Sequence, residues 1–289
     1  MSHGGRAENA MHLTQLRSAI ARIEAGGAML EHGPRGRMVL GAQATQLDVA
    51  LGGGLARGAL HEIIPAGAPD RAAATGFALV LALRFASTGR GTLVWIGEDF
   101  ASLESGALYG PGLAAFGLDP ARLLVVQAAQ GEEALWAMEE ALKCRALAAV
   151  VGELWDVRAC DLTASRRLAL AARASGTPGL LLQARAPPAS AATTRLEVRA
   201  ASAPAAAQVL RGKPLPGPPT FAVRLQRARG ALQLDPDHAF LLIFDPVEGQ
   251  LRDFDPAPRA DAGTLSADAG ERPHPPLAVA RQQGQRRSA

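Results

Sequence analysis

Residues 60–85 read LHEIIPAGAPDRAAATGFALVLALRF. The apolar run Leu60–Ile64 predicts a strand, the Gly/Pro/Ala text after it a loop, and the apolar stretch from about Ala73 to Phe85 a helix. A strand–loop–helix junction of this kind suits phosphate binding, because backbone N–H groups and the helix N-terminus converge on the anion. The loop that does this reads G-x-x-x-x-G-K-[ST]. Counted from Gly67, the second glycine is Ala72, the lysine is Ala73 and the hydroxyl residue is Ala74. The cation and the magnesium ligand are both missing. The framework of a phosphate site is present with its chemistry removed.

The basic residues support this reading. The chain has two lysines, Lys143 and Lys213, and neither follows a strand and opens a helix. Arg71 and Arg84 are the cations nearest the loop, but a guanidinium is bulkier than an ammonium and forks differently. Ordinary phosphoryl transfer therefore lacks its central groups.

The 289 residues suffice for one large domain with tails. Hydrophobic residues make up 48% and charged residues 20%, enough for a sizeable core, while aromatics are only 4%. A net charge of +3 falls short of a strong polyanion-binding signature. Cys144 and Cys160 have no metal-ligand spacing and read as reduced thiols of a cytoplasmic protein. No apolar run is long enough for a bilayer, so no membrane partner is expected.

Three parts are expected along the chain: an N-terminal helix and linker (1–37), an α/β core (38–245) and a disordered tail (246–289). In the first part, HLTQLRSAIARIEA (12–25) places Leu13, Leu16, Ile20 and Ile23 on one helical stripe, either packed on its own core or docked on a partner. The core alternates strands (38–40, 60–64, 92–96, 123–126, 148–151, 179–183) with helices (73–86, 103–117, 131–144, 162–175). This order predicts a mainly parallel sheet with helices on both faces. Residues 195–200, 221–228 and 239–244 then read as antiparallel or edge strands, the first two with one wet face. The tail is rich in Pro, Asp, Arg and Gln.

The segment LDVALGGGLARGALHEI (47–63) closely resembles the RecA recombinase family. GLDPARLLVVQA (117–128), EEALWAMEEAL (132–142) and DLTASRRLALAARASGTPGLLL (161–182) are similar to a narrower group, the ImuA family, also described as SulA-like. The resemblance spans roughly residues 11–245. It implies a RecA-like fold and an accessory role in damage-induced (SOS) translesion synthesis. The implied partners are a Y-family-type polymerase homologue and an error-prone replicative-type DNA polymerase subunit, with the RecA recombinase and DNA as further candidates.

The acidic positions depart from the catalytic RecA pattern. The strand 148–151 should end in an aspartate but exits into Gly152, Glu153 and Leu154, so Glu153 is expected one place late, on the wrong face. Glu98 and Asp99 follow the strand 92–96 and read as exposed loop acids. DNA-facing loops are expected at 153–161 and 184–195, with Arg158, Arg185 and Arg195 for phosphates and Trp155 for stacking. Arg224 and Arg227 offer a basic edge. His61 and the Gly52–Gly54 run read as structural. No histidine or cysteine pair supports a metal, and no cofactor is expected. The adaptor reading stands against two others, a divergent ATPase using Arg71 with Glu98 or Asp99, and a cell-division inhibitor.

Overall fold

The structure, a computed structural model, describes residues 36–87, 91–99, 106–155, 159–203, 209–210, 213–214, 217–229, 235 and 237–255. The expected helix at 12–25, with Leu13, Leu16, Ile20 and Ile23, lies outside them. So do Arg158 and the tail from residue 256.

The elements, in order, are β1 (Arg37–Met38), α1 (Gln46–Ala50), β2 (Leu55–Ala56), β3 (Leu60–Pro65), α2 (Arg71–Ser87), β4 (Thr92–Glu98), α3 (Gly110–Ala115), β5 (Leu123–Ala128), α4 (Gly131–Leu142), β6 (Leu147–Leu154), α5 (Leu162–Ser175), β7 (Gly179–Gln183), β8 (Thr194–Ala200), β9 (Val209–Leu210), β10 (Lys213–Pro214), β11 (Thr220–Ala228), β12 (Ala239–Asp245) and β13 (Gln250–Asp253). Nine strands form one sheet in the order β13-β12-β11-β8-β3-β7-β6-β4-β5. The six from β8 to β5 are parallel; β8, β11, β12 and β13 pair antiparallel. This is the expected RecA-like α/β architecture, with its late antiparallel strands at one side.

Helix α2 lies on one face and buries Ala74, Phe77, Ala78, Leu81 and Phe85 against alternate residues of the sheet, such as Ile63, Ala149 and Leu196. It is apolar nearly all round, as a helix must be when strands and loops cover most of it. Helices α4 and α5 cover the other face, where Met138 and Leu168 meet Val150, Leu154 and Leu181. Asp161 caps α5 through a bond from the Ala164 N–H, and Gly176 ends it with a left-handed φ of 82°.

Four expectations change. The strand expected at 38–40 stops at Met38, because the Leu40 N–H is given to the buried carboxylate of Asp48. That carboxylate also accepts from Thr45, closing a capping box that starts α1, a helix the glycine-rich text concealed. The helix expected at 103–117 is only Gly110–Ala115 among the described residues; Pro111 in its first turn marks a natural start. Strand β6 runs on to Leu154, through Gly152 and Glu153. The core does not end at residue 245: the turn after β12 returns β13 along it, and the fully buried Leu251 donates its N–H to the Leu40 carbonyl.

Gly52–Gly54 is a turn, as read. All three have positive φ, and the Gly53 and Gly54 N–H groups bond the Asp48 carbonyl. His61 is structural too, buried with Nδ1 at 2.8 Å from Thr194 Oγ1 and Nε2 at 2.8 Å from the Ala56 carbonyl.

Candidate functional site

Gly67 is extended, at φ −163°, and leads into a single 3-10 turn, Ala68–Asp70. Asp70 puts a carboxylate at the mouth of the loop, where Oδ1 accepts the Ala200 N–H at 3.0 Å and Arg199 stands 4.0 Å away. Ala72 is exposed, Ala73 partly covered and Ala74 fully buried under the sheet. The nearest hydroxyl is that of Thr75, one residue beyond the position counted for magnesium.

A cavity of about 520 Å³ opens beside this loop, at the C-terminal ends of β4, β5 and β6. Such strand ends are where open α/β sheets take ligands. Arg71 and Thr75 line it from α2; Trp95, Gly97, Gln127 and Glu153 line it from the sheet; Trp155 and Tyr109 complete the wall. The Trp95 indole N–H donates to Glu153 Oε2 at 3.0 Å. The Arg71 guanidinium lies over the Trp155 ring, 4.2 Å from its centroid, a cation–π contact. Burial pushes the Glu153 carboxyl up from its ordinary value; the two indoles act against this and the nearby Glu98 adds to it.

The face of Glu153 corrects the sequence reading. Ala149 and Val151 pack on the α2 side of β6, and Glu153, two further on, shares that side. It is Gly152 that points the other way. A Cβ there would stand 2.5 Å from the sulfur of the buried Met138, so a side chain at 152 has no room without repacking α4. Glu98 is also not an exposed loop acid: it ends β4, is 5% exposed, and alternates away from the cavity while Gly97 faces it. Asp99 is exposed, as expected. The pair Trp95 and Glu153 is set by the parallel register of β4 and β6, in which Gly97 stands opposite Glu153. Its one local sign is the spacing of two in Val151, Glu153 and Trp155.

The arginines expected at DNA divide. Arg195, Arg224 and Arg227 come together on the face of β8 and β11 turned away from α2, where Arg224 stands across from Glu197 and Arg227 from Arg195. Arg195 is spent within the fold: its Nε donates to Oε2 of the fully buried Glu62 at 2.7 Å, and its side chain is 11% exposed. It corrects the expectation of a phosphate contact, since a guanidinium holding a buried carboxylate is not available to DNA. Glu62, next to His61 near the start of β3, is structural like that histidine, but its partner 133 residues on carries no sign in the sequence. Arg227 donates to the Ser190 carbonyl, and Arg224 lies 3.7 Å from Glu197 with 41% of its side chain exposed. Arg185 is exposed in the loop after β7. Cys144 is a free exposed thiol and Cys160 a free buried one.

Among the described residues there is no cluster of acids, histidines and cysteines able to hold a metal, and no helix long and apolar enough to cross a membrane. No protein-family model matches the chain. The protein called Protein ImuA in Caulobacter vibrioides, strain NA1000 / CB15N, is 35% identical over 191 residues, which cover 62% of this chain and 73% of that relative. The same protein from strain ATCC 19089 / CIP 103742 / CB 15 matches with the same identity and coverage.

Proposed function

The chain belongs to the ImuA family, and from that premise we propose that it is a non-catalytic, RecA-like accessory factor of DNA-damage-induced mutagenesis. It acts within a translesion synthesis complex, through contacts with a Y-family-type polymerase homologue and an error-prone replicative-type polymerase subunit. The RecA recombinase and DNA are further contacts on this reading. The observation that carries the loss of catalysis is the junction of β3 and α2. There the phosphate-binding glycine, lysine and hydroxyl positions are Ala72, Ala73 and Ala74, and Asp70 holds the mouth of the loop.

The experiment is thermal unfolding of the full chain with and without millimolar ATP and magnesium. A ligand at a hundred times its dissociation constant adds about 2.7 kcal/mol of stability. No change in midpoint is expected. A magnesium-dependent rise would overturn the non-catalytic reading in favour of a divergent ATPase, for which Glu153 on the cavity face is the one supporting observation. Co-purification with the two polymerase subunits tests the partners. Retention of both by the full chain, and loss on deleting residues 12–25, is the expected result.

A further inference from the structure

Helices α4 and α5 lie side by side over one face of the sheet, and their outer surfaces are patterned in opposite ways. Helix α4 carries four glutamates and no basic residue; α5 carries three arginines and no acid. On α4, Glu132, Trp136 and Glu140 recur every four residues along one exposed stripe, and on α5 Leu162, Arg166 and Leu170 do the same. Trp136 is 63% exposed, Leu162 47% and Leu170 59%. A tryptophan and two leucines in the open on adjacent helices exceed what single scattered apolar residues explain. Within the chain the two helices are joined by the ion pair of Glu139 and Arg167. Glu140 meets Lys143, three residues on, in an exposed pair worth little.

This pattern suits a second copy of the same chain. In a two-fold dimer residue i meets j and j meets i, so the surface must be its own complement. An acidic helix beside a basic one meets that condition. Turned face to face about an axis running along the helices, α4 of each copy lies on α5 of the other. An axis across the helices would instead set glutamates on glutamates. A nucleic acid would meet the four glutamates on half of the face.

The first axis preserves levels along the helices. Both helices join parallel strands from the same side of the sheet, so they run in the same direction, and the Glu139–Arg167 pair shows which residues are level. Counted from that pair, Trp136 is about level with Ala164 and Glu140 with Leu168. Trp136 therefore falls between Leu162 and Arg166 of the other copy, and Glu140 between Arg166 and Leu170. The guanidinium meets an aromatic ring on one side and a carboxylate on the other.

We propose that the outer face of α4 and α5 is a homodimer interface, centred on Trp136, with Glu140 of each copy paired with Arg166 of the other. The inference is independent of the accessory role, because it rests on this face alone.

The test is sedimentation velocity of the full chain over a concentration series, under reductant so that the exposed Cys144 forms no cross-link. A monomer–dimer equilibrium is expected. Trp136→Ala is expected to weaken association by about tenfold or more, as loss of a central tryptophan does. Arg166→Glu and Glu140→Arg each set like charges against one another in both halves of the interface, and each alone is expected to be monomeric. All three positions are exposed, so the unfolding midpoint is expected to stay. Mixing the Arg166→Glu chain with the Glu140→Arg chain brings opposite charges together again in both halves, and the mixture is expected to dimerise. The proposal is overturned if the unaltered chain is monomeric throughout the series, if its dimer survives the three substitutions, or if the two charge variants do not recover on mixing. A monomeric chain whose co-purification with a polymerase subunit is lost in Arg166→Glu would assign the face to that subunit, and the second copy would be overturned as its occupant.

Discussion

Replacing Arg195 by alanine should unfold this protein far more readily than loss of a surface arginine would. Glu62 is 0% exposed in the parallel part of the sheet, and its Oε2 accepts from Arg195 Nε at 2.7 Å. Its other oxygen, Oε1, is buried with no hydrogen-bond partner. Removing the guanidinium strands a carboxylate with no compensation. Breaking a buried pair from one side costs about 3–5 kcal/mol. At roughly 2–4 °C per kcal/mol for a domain of this size, the midpoint should fall by roughly 6–20 °C. Urea unfolding gives the free energy directly, and thermal unfolding the midpoint. The double variant Glu62→Leu, Arg195→Met replaces both partners by apolar groups and should recover most of the loss. If Arg195 instead served a phosphate, its removal would leave stability within about 0.5 kcal/mol and lower the salt dependence of DNA binding by about one counterion. A loss below about 1 kcal/mol would refute the argument that this pair is held out of water.

Further outcomes are expected elsewhere. Leu251→Ala on β13 should cost about 2–5 kcal/mol, since the side chain is fully buried, and a chain cut at residue 245 should be less stable still; a neutral result would return the boundary to 245. Burial raises the Glu153 carboxyl above its ordinary 4.5, so its neutral form contributes stability that is full below about that pH and is lost as pH rises through the folded value. Glu153→Gln should therefore gain on the native protein as pH rises above about 4.5, and a pH-independent difference would contradict this. Burial pushes the Cys160 thiol up to about 12, so a thiol reagent near pH 8 should label Cys144 alone in the native state and both after unfolding; rapid native labelling of both would show that α5 opens.

Much of the fold was legible because helix and strand periods alternate cleanly. Leu162–Ser175 and Gly179–Gln183 lie where their patterns and flanking Asp161, Gly176 and Pro178 put them. The emptied loop was legible as well, being a statement about residue types at fixed spacing. Three-dimensional pairing was not. Asp48 starts α1 and ends β1 by bonds to groups three and eight residues away, and no periodic signal carries that. Apolar runs alone end these strands at Ile96 and Val151 and leave Glu98 and Glu153 in loops, whereas both strands continue by pairing with neighbours. The charge of Arg195 alone suggests a phosphate contact, but its partner in the fold is Glu62, 133 residues earlier.

The position of β3 also sets a clock on synthesis. It is made at residues 60–65, yet its two sheet neighbours, β7 and β8, begin at residues 179 and 194. The 133 residues separating Glu62 from Arg195 take roughly 7–27 s to emerge at about 5–20 residues per second. Until β7 is made both edges of β3, the strand with Ile63 and Ile64, are open, and until β8 is made one still is. Slow codons or a holding chaperone before residue 194 should thus matter more to the yield of soluble protein than the same interventions after it.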